Sequence, residues 1–156
     1  MPSVALSGGY LTARQKQIWT LQRKGSIEAE IGRKLKVTRQ TVHKALNIAN
    51  DKISKALLET AQLNRIKVRS FDPTEGILLG RSLAFKTTAI ITFSARNGVQ
   101  VWYKAEEHCE SCDQLEHCRE ILVAEAEERG VQLPEKKDSM LPSELAEVLF
   151  SNILGG

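Results

Sequence analysis

The chain has 156 residues, a length that suits one mid-sized domain or two small modules. Its hydrophobic fraction of 42% and charged fraction of 26% are ordinary for a globular protein and exclude a chain that is disordered throughout. No apolar run approaches the roughly 20 residues that cross a bilayer, so we expect no membrane span. The first residues lack the features of a secretory signal, and the three cysteines form a single cluster. We therefore expect a cytoplasmic protein without a disulfide framework.

The net charge of +3 hides a strong asymmetry along the chain. Residues 1–64 hold 11 Lys and Arg against 4 Asp and Glu, and residues 65–104 hold 7 against 2. Residues 105–156 hold 4 against 13. A basic front and an acidic rear predict that the front contacts a polyanion, although attraction between the two halves of one fold would explain the same counts.

Helical periodicity dominates the first 64 residues. Thr12 and Ser26 are placed to cap the first two helices, and Gly25 separates them. Thr38 is placed to cap a third helix, which we expect to run for roughly 25 residues because no Gly or Pro interrupts the chain before Asn64.

The periodicity changes after residue 65. Alternating and β-branched runs predict an antiparallel sheet of three or four strands. The pair Asn97-Gly98 between two such runs indicates a two-residue type I′ hairpin, which would place Phe93 opposite Trp102.

Helices return in the last third of the chain. Ser111 and Gln114 fit a capping box for a helix from about Cys112 to Arg129, and Ser143 is placed to cap a final amphipathic helix. The fold class that we predict is α+β. We expect two domains: residues 1–64, a three-helix domain with a long third helix, and residues 65–156, a sheet followed by a cysteine knuckle and helices.

The first domain has the parts of a helix-turn-helix, namely two helices joined by a tight turn, the second of them basic and polar at its start. Gly32 supplies the small residue needed where the helices cross, and Leu35, Val37 and Val42 are spaced to hold the turn. Arg can donate two hydrogen bonds to guanine, Gln or Asn can pair with adenine, and further basic side chains add phosphate contacts. The residues that we expect to contact DNA are Thr38, Arg39, Gln40, Thr41, His43, Lys44 and Asn47, with Arg33, Lys34 and Lys36 before them. The alternative is a plain three-helix bundle with a solvated basic face.

A spaced pattern extends over residues 11–53. It consists of Leu11-Thr12-x-Arg14-Gln15, an apolar helix, Gly25, Glu30-Ile31-Gly32, Leu35, Val37-Thr38-Arg39 and Thr41-Val42. This pattern resembles the helix-turn-helix of LuxR-type regulators, region 4 of sigma factors and archaeal Tfx-type DNA-binding proteins. The resemblance implies a transcription regulator that binds double-stranded DNA, with the helix from Thr38 as its recognition helix. Lys36 departs from the pattern, because many members of these families have Gly in the turn.

The cysteine cluster indicates a metal site. Cys109, Cys112 and Cys118 lie within ten residues, and His108 and His117 each precede one of them. The Cys-x2-Cys spacing lets a tight knuckle direct two thiolates at one ion. Cys118 could supply a third ligand of a tetrahedral site, and His108, His117 or a residue elsewhere the fourth. We expect Zn²⁺, with these five residues as candidate ligands.

Two alternatives to zinc stay open. The cysteine spacing resembles the last three ligands of WhiB-type iron–sulfur proteins, although the distant fourth cysteine is absent. The thiols could instead be free or redox-active, since Cys118 also falls on an apolar stripe with Leu122 and Ala126 and could be a core residue.

Three classes of function remain to be compared. The first is a transcription regulator whose rear part carries a metal or redox site. The second is a DNA-associated interaction module with a purely structural zinc and an acidic segment that docks a partner. The third is an enzyme, which we do not expect because the sequence has no Walker loop, Rossmann glycine fingerprint, zincin motif or nucleophile elbow.

A homodimer is expected because helix-turn-helix proteins bind twofold sites as dimers. The third helix offers an apolar stripe at alternating four- and three-residue spacing, which resembles a short coiled-coil seam. The same stripe could instead be buried against the sheet. Its members are Val42, Leu46, Ala49, Ile53, Ala56 and Thr60, and the last helix offers Leu145, Val148, Leu149 and Ile153.

Overall fold

The computed structural model describes residues 11–104 and 111–154, and over these residues the fold is α+β, with five α-helices and one four-stranded antiparallel sheet. The helices are α1 (Ala13–Arg23), α2 (Glu28–Leu35), α3 (Arg39–Leu63), α4 (Leu115–Arg129) and α5 (Pro142–Ile153). The strands, in sheet order, are β1 (Ile66–Asp72), β2 (Ile77–Ser82), β3 (Thr87–Ser94) and β4 (Gly98–Tyr103). None of the described helices is long and apolar enough to cross a membrane.

The chain divides into two compact units, residues 1–104 and residues 105–156. The first unit contains α1 to α3 and the whole sheet, and the second contains α4, a short 3-10 helix (Glu135–Ser139) and α5. The domain boundary that we expected after residue 64 falls between α3 and β1, inside the first unit.

Local side-chain chemistry determines where α1 and α3 begin, but not where α2 begins. Thr12 caps α1 in a full capping box with Gln15, and the Thr38 hydroxyl accepts a hydrogen bond from the backbone N–H of Thr41 at the start of α3. The prediction that Ser26 caps α2 is wrong. Its backbone N–H instead donates to the carbonyl of Leu21 and closes the end of α1, so α2 begins two residues later without a side-chain cap.

Helix α3 is 25 residues long, as expected, and contributes to two clusters of buried side chains. Near its start, Val42 and Leu46 pack with Ile18 of α1 and Ile31 of α2. Farther along, its apolar side chains pack against one face of the sheet together with Leu11 and Trp19. The members of this second cluster include Ala49, Ile53, Leu57 and Ala61 on α3, and Leu78, Ala89, Ile91 and Phe93 on the sheet.

The coiled-coil seam predicted on α3 is therefore not available to a second chain. Val42, Leu46, Ala49 and Ile53 are at most 2% exposed and are buried inside the first unit. The competing interpretation, burial of the stripe within the same chain, is the one that the structure supports.

Trp19 connects α1 to the sheet. Its ring is fully buried, stands edge-on to Phe93 of β3 with 5.3 Å between ring centroids, and its indole Nε1–H donates to the carbonyl of Pro73. Gly76, at φ +67°, lies beside this ring, and a Cβ there would be 2.6 Å from the carbonyl oxygen of Phe93 and 3.1 Å from Trp19. The β1–β2 turn therefore depends on glycine for both its backbone conformation and its close approach.

The hairpin between β3 and β4 differs from the predicted type I′ turn. Ser94 pairs with Gly98, so the turn consists of three residues, 95–97. Within residues 94–98 only Gly98 is left-handed, at φ 68°. The Ser94 hydroxyl accepts a hydrogen bond from the N–H of Asn97 and thereby stabilises the longer turn. The register shifts accordingly, and Phe93 lies opposite Val99 while Trp102 lies opposite Ile90.

In the second unit α4 and α5 pack against each other. The predicted capping box of Ser111 and Gln114 does not form, and α4 begins at Leu115. The prediction that Ser143 caps α5 is also wrong, because α5 begins at Pro142 and the carboxylate of Glu144 accepts from the N–H of Leu141.

An arginine connects α4 to the segment that precedes α5. Arg119 donates from Nε and Nη2 to the carbonyl of Met140, at 3.0 and 2.9 Å, and pairs with Glu116 at 2.6 Å. Farther along α4, Arg129 Nε donates to Glu125 Oε2 at 3.0 Å, and both side chains are almost fully buried. The second unit is therefore held together by polar contacts as well as by its apolar helix faces.

Gly76→Ala should lower the free energy of unfolding by about 2–4 kcal/mol, because the added Cβ meets backbone and an aromatic ring at a positive φ. Urea denaturation followed by tryptophan fluorescence measures the change. Gly25→Ala reports backbone strain without a clash, since its φ of +106° lies farther from the left-handed region than that of Gly76 but a Cβ there has nothing within 4 Å. Unchanged stability in Gly76→Ala would show that the contact with Trp19 and Phe93 does not matter.

Candidate nucleic-acid interface

A tight turn joins α2 to α3. The N–H of Val37 donates to the carbonyl of Gly32 and the N–H of Lys36 to that of Arg33, which is the double hydrogen bond of a Schellman motif. Lys36 adopts the left-handed conformation, with φ 59° and ψ 43°. A Cβ on Gly32 would lie 2.9 Å from the carbonyl oxygen of Val37, so this crossing requires the small residue that the sequence predicts.

The side chains predicted to contact DNA lie on the exposed surface of this helix pair. Val42 and Leu46, which lie between them in the sequence, are buried, and Ala45 is half-buried against the same cluster, so the polar positions of the first two and a half turns of α3 point outward. The polar residues at the end of α2 and in the turn before α3 are exposed as well. The exposed set is Arg33, Lys34, Lys36, Thr38, Arg39, Gln40, Thr41, His43, Lys44 and Asn47.

A carboxylate that the sequence analysis did not include lies within this surface. Glu28, the first residue of α2, places Oε2 2.8 Å from His43 Nδ1 and Oε1 3.7 Å from Arg39 Nε. His43 Nε2 in turn lies 3.3 Å from Asn47 Nδ2. Arg39, His43 and Asn47 follow at intervals of four residues on α3, and these contacts connect them to α2.

Glu28 was missed because its partners lie 11 and 15 residues away, on another helix. The sequence signal for it is weak: an acidic residue in the first turn of a helix is a common feature that favours the helix dipole and needs no further role. Only the crossing of α2 and α3, which the Gly32 contact fixes, brings the carboxylate to the exposed face at the start of α3.

The candidate metal ligands are only partly within the described residues. Cys112 is exposed before α4, and its Sγ accepts from the N–H of Gln114 at 3.4 Å. Cys118 is half-buried in the first turn of α4, and His117 beside it is exposed. Cys109 and His108 lie outside the described residues. Among residues 11–104 and 111–154, no three His, Cys, Asp or Glu side chains come together as a metal-binding group.

No family model, curated protein or solved structure matches the chain.

Replacing Lys36 with glycine should stabilise the protein by about 0.5–1 kcal/mol, because glycine adopts the left-handed conformation without the steric cost that a side chain brings. Lys34→Gly is the matched control, since it removes the same charge from a helical position and should be destabilising. Urea denaturation followed by tryptophan fluorescence reports both. A loss of stability in the Lys36 variant would contradict the strain that we assign to this turn.

Proposed function

We propose that the chain is a sequence-specific regulator of transcription that binds double-stranded DNA through a helix-turn-helix formed by α1 to α3. The observation that supports this proposal is the division of side chains on α3. Every polar or cationic residue expected to contact DNA is exposed, whereas Val42 and Leu46 between them are buried. A three-helix core requires the buried residues, but it does not require the exposed face to be cationic.

The geometry of the turn suits a duplex. A single helix fits the major groove of B-DNA, and its N-terminal residues are those that reach base edges. The N-terminus of α3 carries exposed Thr38 and Thr41 hydroxyl groups, 2.8 Å apart, and the positive end of the helix dipole, both of which suit a phosphate. Arg33, Lys34 and Lys36 flank it and add charge that is independent of sequence.

Two substitutions separate base recognition from phosphate contact. After a preferred site has been selected from random duplexes, Arg39→Ala should weaken binding to that site by roughly 1–3 kcal/mol. Lys34→Ala should weaken binding to all duplexes by about the same factor and lower the slope of log affinity against log salt by about 1. Gel-shift titrations at several salt concentrations measure both effects.

The control for lost charge is Lys55→Ala, which removes a lysine from the far half of α3, where it pairs with Glu59. That variant should bind DNA as the unchanged protein does, apart from a small long-range effect. If Arg39→Ala and Lys34→Ala also leave affinity unchanged, α3 is not the DNA-binding helix.

For the second unit we propose a metal site, with Zn²⁺ favoured over an iron–sulfur cluster or redox-active thiols. Cys112 and Cys118 would contribute thiolates, and the backbone hydrogen bond to Cys112 Sγ is of the kind that stabilises a metal-bound sulfur. The polar segment from Ala105 to Cys112 offers little apolar surface to bury, so a metal would supply the folding free energy that this segment lacks. The proposal includes no catalytic activity.

Protein purified without chelator should contain one zinc ion per chain by native mass spectrometry, and Cys112→Ser should lose it. The circular dichroism of the variant should show a destabilised second unit, because structural zinc contributes directly to folding. Ser111→Ala, beside the same cysteine, should keep the metal. Metal-free protein with three thiols that react rapidly without denaturant would contradict the metal site and favour free or redox-active cysteines.

We also propose that two copies of the chain bind one DNA site, because a helix-turn-helix normally reads twofold-symmetric sequences. The α3 stripe is buried, and on α5 Leu145 and Leu149 are fully buried as well, so the apolar stripes that predicted this dimer are covered within the chain. The dimer therefore rests on the expected symmetry of the DNA site.

A further inference from the structure

The contacts between Glu28, His43 and Asn47 determine which atom of each side chain is a donor. An ionised carboxylate accepts hydrogen bonds and cannot donate one, so the 2.8 Å contact requires the proton to be on Nδ1 of His43. In a neutral imidazole the other nitrogen, Nε2, then carries only a lone pair. For the neutral ring, the atom of Asn47 that faces Nε2 at 3.3 Å must therefore be its amide nitrogen, which is the atom that the structure places there, and the amide oxygen points elsewhere.

This arrangement leaves the Asn47 amide with a defined pair of groups toward solvent. One Nδ2 hydrogen bonds His43, so the other Nδ2 hydrogen and the acceptor Oδ1 remain for an outside partner. Adenine presents a matching acceptor, N7, and a matching donor, the N6 amino group, at its major-groove edge. Thymine, which offers one acceptor and a methyl group there, and guanine, which offers two acceptors, do not match this pair.

We propose that Asn47 reads an adenine in the major groove and that Glu28, acting through His43, is the positioning residue that sets the amide of Asn47 for this contact. The inference rests on the proposed DNA-binding function and names the base that this part of α3 recognises. Glu28 is suited to the role because its side chain is 24% exposed against 62% for His43, so the carboxylate is the more enclosed end of the series.

Arg39 is the second group held by the same carboxylate. Its Nε lies 3.7 Å from Glu28 Oε1, on the oxygen that does not face His43. One carboxylate thus contacts two α3 side chains that are a single turn apart. Glu30, two residues later on α2, is also a glutamate and is exposed. Among the described residues it forms no hydrogen bond or salt bridge with α3.

The first experiment measures the position of the proton in the absence of DNA. The full chain is labelled with ¹⁵N-histidine, and the His43 ring signals are assigned by their loss in His43→Gln. At pH 8, where an ordinary histidine ring is neutral, we expect a protonated Nδ1 and an unprotonated Nε2. Glu28→Ala should abolish the dominance of this tautomer, Glu28→Gln should retain it because an amide oxygen still accepts, and Glu30→Ala should leave it unchanged.

The second experiment measures base preference by selecting bound duplexes from a random pool. The unchanged chain should enrich adenine at one position, and Asn47→Ala should reduce the preference for adenine there by about tenfold or more. Glu28→Ala should reduce it several-fold, Glu28→Gln should restore it, and the charge-matched control Glu30→Ala should keep it. Other positions of the selected site should change much less in Asn47→Ala.

The outcomes separate this proposal from the DNA-binding function on which it rests. A pool from which no duplex is bound would overturn both. Binding that Lys34→Ala weakens, with no base preference lost in Asn47→Ala, would overturn only the reading role. A preference lost in Asn47→Ala but kept in Glu28→Ala, or an Nε2-protonated His43 in the unchanged chain, would overturn the positioning role.

Discussion

The apolar stripe of α3 must be buried over its whole length, and no single neighbouring element is long enough to cover it. Twenty-five helical residues extend about 37 Å, whereas α1 extends about 16 Å and a strand of eight residues about 26 Å. Two groups of elements cover the stripe in succession. Helices α1 and α2 cover its first half, and the sheet covers its second half. The exposed face at the start of α3 therefore belongs to a helix whose later half packs against the sheet.

Helix α1 prevents these two halves from being independent. Its adjacent residues Ile18 and Trp19 belong to different clusters, the first with Ile31 and Val42, the second with Phe93 and the sheet. A fragment that ends at residue 64 would retain the helices but expose Trp19 and the later half of the α3 stripe to water. At roughly 25 cal/mol per Å² of apolar surface, losing that burial would remove a large part of a small unit's stability. Binding studies therefore need the whole first unit.

Some features that follow from local chemistry could be predicted from the sequence, although the caps expected from Ser26, Ser111 and Ser143 do not form. The capping residues Thr12 and Thr38 act through hydrogen bonds that span three residues, and the outward face of α3 follows from a helical period that the sequence displays. The β3–β4 register could not be predicted, because the Ser94 hydroxyl competes with the turn preference of Asn97-Gly98 and neither signal excludes the other. The contact between Glu28 and His43 depends on how two helices cross, which is a tertiary property.

A carboxylate on a surface proposed to meet DNA is electrostatically unfavourable, so its presence there needs a compensating effect. Affinity for DNA comes mainly from cationic side chains that neutralise phosphates. Three such side chains, Arg33, Lys34 and Lys36, are exposed and lie close to Glu28 in the sequence. Specificity depends on the orientation of a few side chains, and ordering one at an interface costs about 0.5–1.5 kcal/mol. Because the Glu28 carboxylate contacts His43, and His43 contacts Asn47, the Asn47 side chain is ordered when the protein folds. Less conformational entropy is then lost when it binds a base. In the proposed function, Glu28 therefore weakens the non-specific attraction to DNA but orders the Asn47 side chain before it contacts a base.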